Sequence, residues 1–496
     1  MSAAAQVGPG LEGFLAELAR AGIERGSDAA RRATHAWPAR VLAHVRPASR
    51  EEAALVARIA GAHGCPIFPI SRGRNWGLGS ALPVRDAVLV DLSRLDRILD
   101  IDMVSGTARI EPGVTFAQLQ QALAREGLAH HLPSFGGPVD ASVLANALER
   151  GEGAGIAGDR YGGLFDLEVA LSTGERLRTG FGRYGEPAIA ALHGRPAGPL
   201  LEGLFSQSSL GLVLSGRVTL APTLQWSRAL MFEFDGEGPF AAAVPALREL
   251  VRTGVSSPHD VALWNKAKRV SSMERGAAAV AQAMQAPGMA WGMSIIVAAE
   301  QRELLDVRLA IIERALGPLA ARALSAGDRD EGGARAETHL TGFSHGGNIV
   351  SAYAAKTLVG AEPLDPDRDR CGLFWLCPAV PFDAGAVLAV EAMITAATQG
   401  PAMFGALGLQ AVSARALHGY VSVAWDRDDE TTDGVALDVH DGLAARLRQA
   451  GFLPFRLGHA TIASAAPPDG HAAVVERIAD ALDPRGVMAP GKLACR

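Results

Sequence analysis

The feature that constrains this chain most is a glycine-rich loop directly after a short apolar run. Residues 66–70 read Pro-Ile-Phe-Pro-Ile, which indicates a buried strand, and residues 71–79 read Ser-Arg-Gly-Arg-Asn-Trp-Gly-Leu-Gly. The glycines permit backbone angles that are closed to other residues. Successive backbone N–H groups on one side of such a loop form an anion-binding concavity, so a diphosphate can be held there without a lysine.

Two better-known phosphate loops do not fit residues 67–83. The GxGxxG fingerprint needs a helix immediately after its strand, and the GxxxxGK[ST] loop needs a Lys-Ser/Thr pair; neither is present in this stretch. Taken alone, the stretch is either a phosphate site or a structural surface loop.

Composition limits the class of protein. The chain has 496 residues, 48% of them hydrophobic, which suffices for two domains with their own cores. It has no apolar run of about 18 residues and no signal-peptide pattern at its start, so a cytoplasmic enzyme without a membrane span is expected. The net charge of −6 is spread along the chain without a basic block, which argues against nucleic-acid binding.

The cysteines show no metal-binding pattern. They form no CxxC pair and have no companion histidine cluster, so reduced and mostly buried thiols are expected, and no metal. These residues are Cys65, Cys371, Cys377 and Cys495.

Apolar spacing and capping residues predict alternating helices and strands. A helix is predicted over residues 11–32 from the helical spacing of its apolar residues. Ser49 with Glu52, and Thr115 with Gln118, have the spacing of capping boxes, and a further helix is expected to begin near Ser142. Short strands are predicted between these helices, so the fold class is α+β.

Several longer runs resemble the vanillyl-alcohol oxidase and para-cresol methylhydroxylase family of flavoproteins. They follow the order of that family over nearly the whole chain. The runs are PISRGRNWGLGSALP (69–83), VLVDLSRLDRILDID (88–102), ARIEPGVTFAQL (108–119), NALERGEG (146–153), GDRYGGLFDLEVALSTGERLRTG (158–180), LFSQSSLGLV (204–213) and DPRGVMAPGKL (483–493).

The resemblance implies an FAD-binding PCMH-type domain and an α/β cap domain that carries the substrate site. We expect a helical segment over residues 1–36, the FAD domain over 37–222, the cap over 223–450, and a return to the FAD domain over 451–496. By this resemblance the residues expected to contact or shape the FAD site are Ser71, Arg72, Gly73, Arg74, Asn75, Trp76, Pro112, Gly113, Asn146, Glu149, Arg150, Gly151, Gly153, Gly158, Gly211, Val213 and Lys492. For Glu149 and Arg150 a structural ion pair is the alternative.

The chain departs from the family at the substrate side. The resemblance places Phe455 and Leu78 where relatives that oxidise para-substituted phenols carry two tyrosines, and Ser422 where they carry an acid. Residues 154–157, Ala-Gly-Ile-Ala, replace an aromatic-Thr-Pro-aromatic sequence, which thins the wall of the site. Ordinary phenol oxidation is therefore in doubt.

The remaining catalytic candidates are one arginine and three possible proton-transfer residues. Arg456 falls where the family carries its arginine and can grip a carboxylate, enolate or carbonyl; a buried structural salt bridge is the alternative. His345, His418 and Tyr420 are the replacement bases, although a lone histidine is more often structural.

The flavin is expected to be bound non-covalently. The two linkage positions of the family fall near Asp365 and Leu373, and neither side chain forms such a bond. Tyr353 is the fallback residue for a covalent bond, because the alignment slips near it.

The resemblance predicts an FAD-dependent oxidase or dehydrogenase. The expected reaction takes hydride from a small alcohol or from an activated C–H of an aromatic or conjugated substrate, and a role in specialised metabolism is expected. The alternative is a flavin-binding protein with non-redox chemistry, such as a cyclase or isomerase, or with no turnover. Expected partners are a small-molecule substrate, dioxygen or an electron-carrier protein as acceptor, and a second copy in a homodimer.

Overall fold

The structure is a computed structural model that describes residues 9–27, 33–127, 129–133, 136–208, 210–327, 347–360, 362–399, 403–465 and 470–492. Its helices are α1 (Pro9–Arg20), α2 (Arg50–His63), α3 (Phe116–Arg125), α4 (Val143–Leu148), α5 (Glu237–Arg252), α6 (Lys266–Ser271), α7 (Ala277–Gln285), α8 (Arg302–Leu316), α9 (Gly347–Ser351), α10 (Ala384–Ala397), α11 (Glu430–Gln449), α12 (His459–Ala465) and α13 (Gly470–Leu482). Its strands are β1 (Val41–Val45), β2 (Ile67–Ile70), β3 (Ala87–Asp91), β4 (Ile98–Asp102), β5 (Thr107–Ile110), β6 (His130–His131), β7 (Leu164–Ala170), β8 (Arg176–Arg178), β9 (Leu212–Thr219), β10 (Ala221–Pro222), β11 (Trp226–Phe234), β12 (Val261–Asn265), β13 (Trp291–Ala299), β14 (Arg322–Gly327), β15 (Cys371–Pro381), β16 (Phe404–Ala411), β17 (Ala416–Asp426) and β18 (Pro454–Arg456).

The glycine-rich loop follows a small parallel sheet in the order β1-β3-β2. All five residues of β3 are buried, as expected for a parallel strand covered on both faces. Helix α2 leads into β2. Ser49 caps it by accepting from Glu52 N, and Gly64 ends it in the left-handed conformation at φ 63°.

A second sheet of this half is antiparallel, in the order β4-β5-β9-β7-β8. Helix α3 packs on it and begins with the predicted capping box, in which Thr115 and Gln118 bond each other's backbone N–H groups. At Ser49 the predicted box is only half formed, because the Glu52 carboxylate accepts from Ala48 N rather than from Ser49 N.

The largest sheet has eight strands, in the order β14-β11-β13-β12-β16-β17-β15-β18, and we refer to it as the cap sheet. One face packs under α5, α8, α10 and α11 in the largest apolar cluster. The opposite face, with Trp375 of β15 and Tyr420 of β17, packs against Trp76 and Leu78 of the glycine-rich loop. The short strand β18 brings Arg456 to the edge of this sheet, opposite Cys377.

The helices and strands confirm the α+β class, with one clear error. The helix predicted over residues 11–32 ends at Arg20, because Gly22 turns the chain at φ 74° and Arg25 then pairs with Val45 as an isolated bridge. Cys65, Cys371 and Cys377 are buried free thiols as expected, and Cys495 lies outside the described residues. Within the described ranges no helix is both long and apolar enough to cross a bilayer.

Two carboxylates of the cap side anchor separate parts of the structure. Asp367 accepts from Trp76 Nε1 at 3.0 Å and from Ser80 Oγ at 2.8 Å, and so ties the glycine-rich loop to the cap. Asp426 accepts from Lys356 Nζ at 2.6 Å, where the lysine is only 2% exposed. Burial by itself would raise the pKa of Asp426, but hydrogen bonds from Lys356 and Thr357 lower it to about 2.

Replacing Lys356 with methionine should lower the free energy of unfolding by about 3 kcal/mol, because the Asp426 carboxylate would stay buried without its cation. Urea denaturation measures this change. Arg252→Met is the matched control, since it breaks the exposed Arg252–Glu249 pair and should leave the midpoint unchanged. Equal midpoints for wild type and Lys356→Met would contradict the prediction.

Asp367 should make stability depend on pH. Burial raises its pKa to about 7, well above its ordinary value near 4. Folding therefore takes up a proton between these values, and this stabilisation is complete below about pH 4 and lost as the pH rises through about 7. Between about pH 5 and pH 8 the wild type should lose roughly 1–3 kcal/mol relative to Asp367→Asn, whose amide stays neutral. Thermal melts of both proteins across this range test the prediction, and a constant difference would refute it.

Candidate active site and flavin site

The glycines of the loop are required by close packing as well as by backbone angle. Gly73, Gly77 and Gly79 have φ values of 64°, 76° and 126°. A Cβ on Gly77 would lie 2.2 Å from Trp375 Cδ1, and a Cβ on Gly79 would lie 2.2 Å from His459 Cε1. No side chain larger than hydrogen fits at either position, so the backbone of the loop lies directly against the cap sheet and His459.

The polar side chains of the loop are held by protein partners rather than left free. Arg72 donates to Gly113 O at 2.8 Å, and Arg74 donates to Asp140 at 2.7 Å and to Asp365 at 3.0 Å. The Arg74 guanidinium also lies 5.4 Å from the centre of the Trp76 ring. These contacts fix the shape of the loop and leave the holding of a pyrophosphate to its backbone N–H groups.

A second small-residue segment faces the loop through Pro112 and Gly113. Ser142 caps α4 and also donates to Pro112 O at 2.5 Å, which joins the two segments. Gly113 has no room for a Cβ, which would lie 2.5 Å from Ser93 O. Asn146 of α4 accepts from Arg160 at 3.0 Å, and a Cβ on Gly151 would lie 2.2 Å from the Asn146 side chain.

The end of α4 joins the C-terminal segment through a group of polar residues that we call the junction cluster: Asn75, Glu149, Gln207, Arg456 and Lys492. Glu149 accepts from Lys492 Nζ at 2.5 Å and from Gln207 Nε2 at 3.2 Å. Arg456 donates to Asn75 Oδ1 at 3.1 Å. Burial by itself would raise the pKa of Glu149, but Lys492, Arg456 and Gln207 bring it below its ordinary value.

Arg456 has a hydrogen-bond donor that is not bonded within the described part of the protein. Its Nε is buried without a hydrogen-bond partner. Among the described residues Arg456 forms no close ion pair, although its charge interacts with the Glu149 carboxylate. The salt-bridge alternative for Arg456 therefore stays a prediction, with Glu149 as its carboxylate. A buried guanidinium N–H without an acceptor marks a place for an anionic or carbonyl group of a ligand.

A second group, the Glu152 cluster, consists of Glu152, His418, Tyr420 and Phe455. Glu152 binds His418 Nδ1 at 2.5 Å and accepts from the Tyr420 hydroxyl. The His418 ring stacks on Phe455 with 3.6 Å between ring centroids, and Tyr420 meets the edge of the same ring. The structure thus brings together two predicted catalytic residues and adds a carboxylate that the sequence analysis missed.

Electrostatics separate the possible roles of the residues around Glu152. Burial and the Glu152 carboxylate raise the pKa of Tyr420 well above its ordinary value, in keeping with a neutral hydroxyl that donates to Glu152. Burial lowers the pKa of the neighbouring Arg160 to about 9 although Tyr420 and Glu152 oppose this effect. His418 has its Nδ1 held by Glu152, which leaves Nε2 as the ring nitrogen for proton transfer.

Other predicted contacts shape the loops or lie elsewhere. Gly153 N donates to Gly158 O at 2.9 Å, and the Arg150 guanidinium lies over the Tyr161 ring at 4.9 Å. Gly211 precedes β9, in which Val213 lies opposite Val169 of β7. His345 lies outside the described residues.

The fallback residue for covalent attachment is engaged in the core. Tyr353 is fully buried, and its hydroxyl donates to Asp369 Oδ2 at 2.5 Å. Burial and Asp369 raise the pKa of the Tyr353 hydroxyl above its ordinary range. At the two linkage positions, Asp365 is paired with Arg74 and Leu373 packs in the apolar cluster.

Two functional candidates were missed from the sequence. Glu152 lies between two glycines, in Gly151-Glu152-Gly153. A charged side chain in a segment made mostly of small residues is the sequence signal that could have identified it as a site residue. His459 is 4% exposed, lies against Gly79, and has an Nδ1 without a hydrogen-bond partner. No local pattern marks His459, because its position depends on how α12 returns to the loop.

The residues present fit an FAD. The loop and the segment after α4 offer close backbone approach, and Arg456 Nε and His459 Nδ1 are buried polar atoms without partners near them. In such a site the backbone of residues 71–79 would hold the pyrophosphate. The junction cluster and the Glu152 cluster would then lie on the side toward the cap.

Comparison with known proteins agrees with this assignment. Residues 41–180 match the family model described as an FAD binding domain. The chain is 34% identical to 1'-carboxy-chondrochloren decarboxylase of Chondromyces crocatus, over 94% of this chain and 92% of that protein. It is 33% identical to the 4-cresol dehydrogenase flavoprotein subunit of Pseudomonas putida, over 42% of this chain and 40% of that protein.

Solved structures show the same fold. The crystal structure of p-cresol methylhydroxylase with substrate bound superposes with a TM-score of 0.84 at 22% identity, over 98% of this chain and 96% of the other. The 4-ethylphenol oxidase of Gulosibacter chungangensis, in complex with isoeugenol, gives a TM-score of 0.78 at 22% identity, over 91% and 88% of the two chains. Together with the sequence relatives, these matches establish the cofactor as FAD. The chain therefore belongs to the vanillyl-alcohol oxidase and para-cresol methylhydroxylase family of FAD-linked oxidoreductases.

Proposed function

We propose that this oxidoreductase acts on a carboxylate whose neighbouring carbon chain carries an activated, benzylic or allylic C–H, and that it couples loss of hydride to loss of CO2. The observation that carries the proposal is the buried Arg456 Nε without a hydrogen-bond partner, in an arginine that forms no close ion pair among the described residues. A decarboxylase that is 34% identical over 94% of this chain supports the choice of a carboxylate over a carbonyl.

The reaction balances without a further reagent. Bound FAD supplies the hydride acceptor. The substrate carboxylate loses a hydride from the carbon β to the carboxyl group, and the electron pair of the C–CO2 bond becomes the second bond of a new C=C. An anionic acid thus gives a neutral alkene and CO2, and the negative charge leaves with the hydride.

The residues of this chain have distinct parts in the proposal. Arg456, held by Asn75, binds and orients the carboxylate. Phe455 and Trp375 supply aromatic surface for the reacting part of the substrate. His418, held by Glu152, takes the proton of an acidic substrate hydroxyl, while Tyr420 stays neutral and donates a hydrogen bond.

The predicted contacts of the cofactor remain part of this proposal. We assign to FAD the loop backbone at 71–79, with Lys492 and Glu149 adjacent to the cofactor. The other residues assigned to it are Pro112, Gly113, Asn146, Arg150, Gly151, Gly153, Gly158, Gly211 and Val213. His459 joins them as a neutral, buried contact, because burial holds its pKa well below the ordinary value. The homodimer, the cytoplasmic location and the choice between dioxygen and an electron-carrier protein as acceptor stay predictions.

Redox-neutral decarboxylation is the second candidate. The name of the relative states decarboxylation and no oxidation, and this chain has Phe455 and Leu78 at the two positions of the family's phenolate-binding tyrosines. In that case the flavin would hold the substrate without taking hydride.

Anaerobic mixing separates the two candidates. With 3-(4-hydroxyphenyl)propanoate the flavin should lose its yellow colour, with one CO2 and one 4-vinylphenol formed for each FAD. The matched control is 4-ethylphenol, which lacks the carboxylate and should reduce the flavin far more slowly. Arg456→Met should weaken binding of the acid about 100-fold, as expected for loss of a buried charged pair, with Arg456→Lys in between.

CO2 released while the flavin stays yellow would replace this proposal with redox-neutral decarboxylation. Equal flavin reduction by 4-ethylphenol and the acid would contradict the carboxylate role of Arg456.

Acid precipitation should release the flavin into the supernatant, because Tyr353 is hydrogen-bonded to Asp369 and no bond-forming side chain stands at residues 365 and 373. The absorption spectrum of pellet and supernatant measures this. Colour that stays in the wild-type pellet but not in the pellet of Tyr353→Phe would show a covalent bond at Tyr353.

A further inference from the structure

A cavity separate from the two polar clusters lies behind the segment that follows Glu152. It has a volume of about 330 Å³, within the range of small-molecule sites. Its lining includes residues 154–156, 221, 222 and 224, and also residues 254–257, 260, 296–300, 304 and 308. We call it the Ser256 cavity.

The mouth of the Ser256 cavity is apolar and open to solvent. Ile156 and Leu304 line it and are 62% and 46% exposed. Large aliphatic side chains so exposed at the rim of a concave site favour an apolar ligand.

The lining also contains polar groups that suit a neutral hydrogen-bonding ligand. Ser256 is 4% exposed, and its Oγ has no hydrogen-bond partner. Asp260 and Arg308 lie on the same lining with opposite charges. Burial raises the pKa of Asp260 to about 7, although Ser257 and Arg308 oppose the shift, so near neutrality this carboxyl is partly protonated and able to donate.

His259 connects the wall of the cavity with the strand pair that carries the Glu152 cluster. Gly155 N donates to His259 O at 3.3 Å, and Gln410, which lies opposite His418 in the β16–β17 pair, donates to the same oxygen. A Cβ placed on Gly155 would meet only Asp260 Oδ1, at 3.9 Å, and both residues line the cavity, so the cavity is open beside Gly155. The residues of this wall, 154–157, are those with which the chain replaces the family's bulkier sequence.

We propose that the Ser256 cavity binds a neutral, partly apolar chain that extends from the substrate past Gly155, with an amide or hydroxyl group of that chain bonded to Ser256. The inference rests on the proposed function for the position of the reacting end. A substrate with such a chain is larger than a simple phenol. Residues 154–156 and 256 would then select substrates by the length of this chain.

The test compares two acids that differ only in such a chain. One is 3-(4-hydroxyphenyl)propanoate, and the other carries a hexanoylamino group at C2, which leaves both the ring and the carboxylate unchanged. For the holoenzyme the longer acid should have a KM at least 10-fold lower in anaerobic flavin reduction.

Filling the mouth should abolish this preference. Ile156→Trp should bring the two KM values together while leaving the shorter acid unaffected, and Ser256→Ala should raise the KM of the longer acid severalfold. Ile189→Trp is the matched control, because Ile189 is a 40% exposed isoleucine elsewhere on the surface. A preference that survives Ile156→Trp, or no preference in the wild type, would overturn the proposal.

Direct binding keeps the cavity testable if neither acid reduces the flavin, a result that would count against the proposed function. N-hexylacetamide is then added to the holoenzyme and followed by saturation-transfer NMR. Transfer in the wild type and Ile189→Trp but not in Ile156→Trp would support the cavity, whereas no transfer in the wild type would overturn it.

Discussion

The close approach of the glycine-rich loop to the eight-stranded sheet is the constraint on which the site depends. Trp375 N donates to Gly77 O at 3.1 Å, and the Trp375 ring occupies the space where a Gly77 side chain would begin. Asp367 fastens the same loop through Trp76 and Ser80. Because one loop meets both the FAD-binding half and the cap, any change in its path moves the cofactor side and the substrate side together.

Once that contact is set, the chemistry is concentrated in two groups of charged residues. In the junction cluster the buried Arg456 Nε has no hydrogen-bond partner. In the Glu152 cluster the carboxylate is hydrogen-bonded to both His418 and Tyr420. The resemblance places the apolar side chains of Phe455 and Leu78 where relatives carry two tyrosines, and the hydroxyl of the neighbouring Tyr420 is bonded to Glu152. That combination is why we favour a substrate carboxylate over a phenolate.

Local signals in the sequence predicted most of the fold well. The Thr115–Gln118 capping box and the start of α4 at Ser142 are confirmed, since a cap depends on residues three apart. The predicted first helix is too long, because the spacing of apolar residues does not show that Gly22 turns the chain at φ 74°. The sequence did not predict Glu152 as a site residue because its partners, His418 and Tyr420, are more than 260 residues away along the chain.

The sequence by itself determined the family, the cofactor and the glycine-rich loop, because these depend on contiguous motifs that can be recognised from the order of residues alone. Only the tertiary structure decided which polar groups meet: Glu152 with His418, Asn75 with Arg456, and Ser256 with an open cavity. Those contacts form because strands and loops that are distant in the sequence pair in the folded protein. A local sequence pattern does not predict the distance between two such side chains.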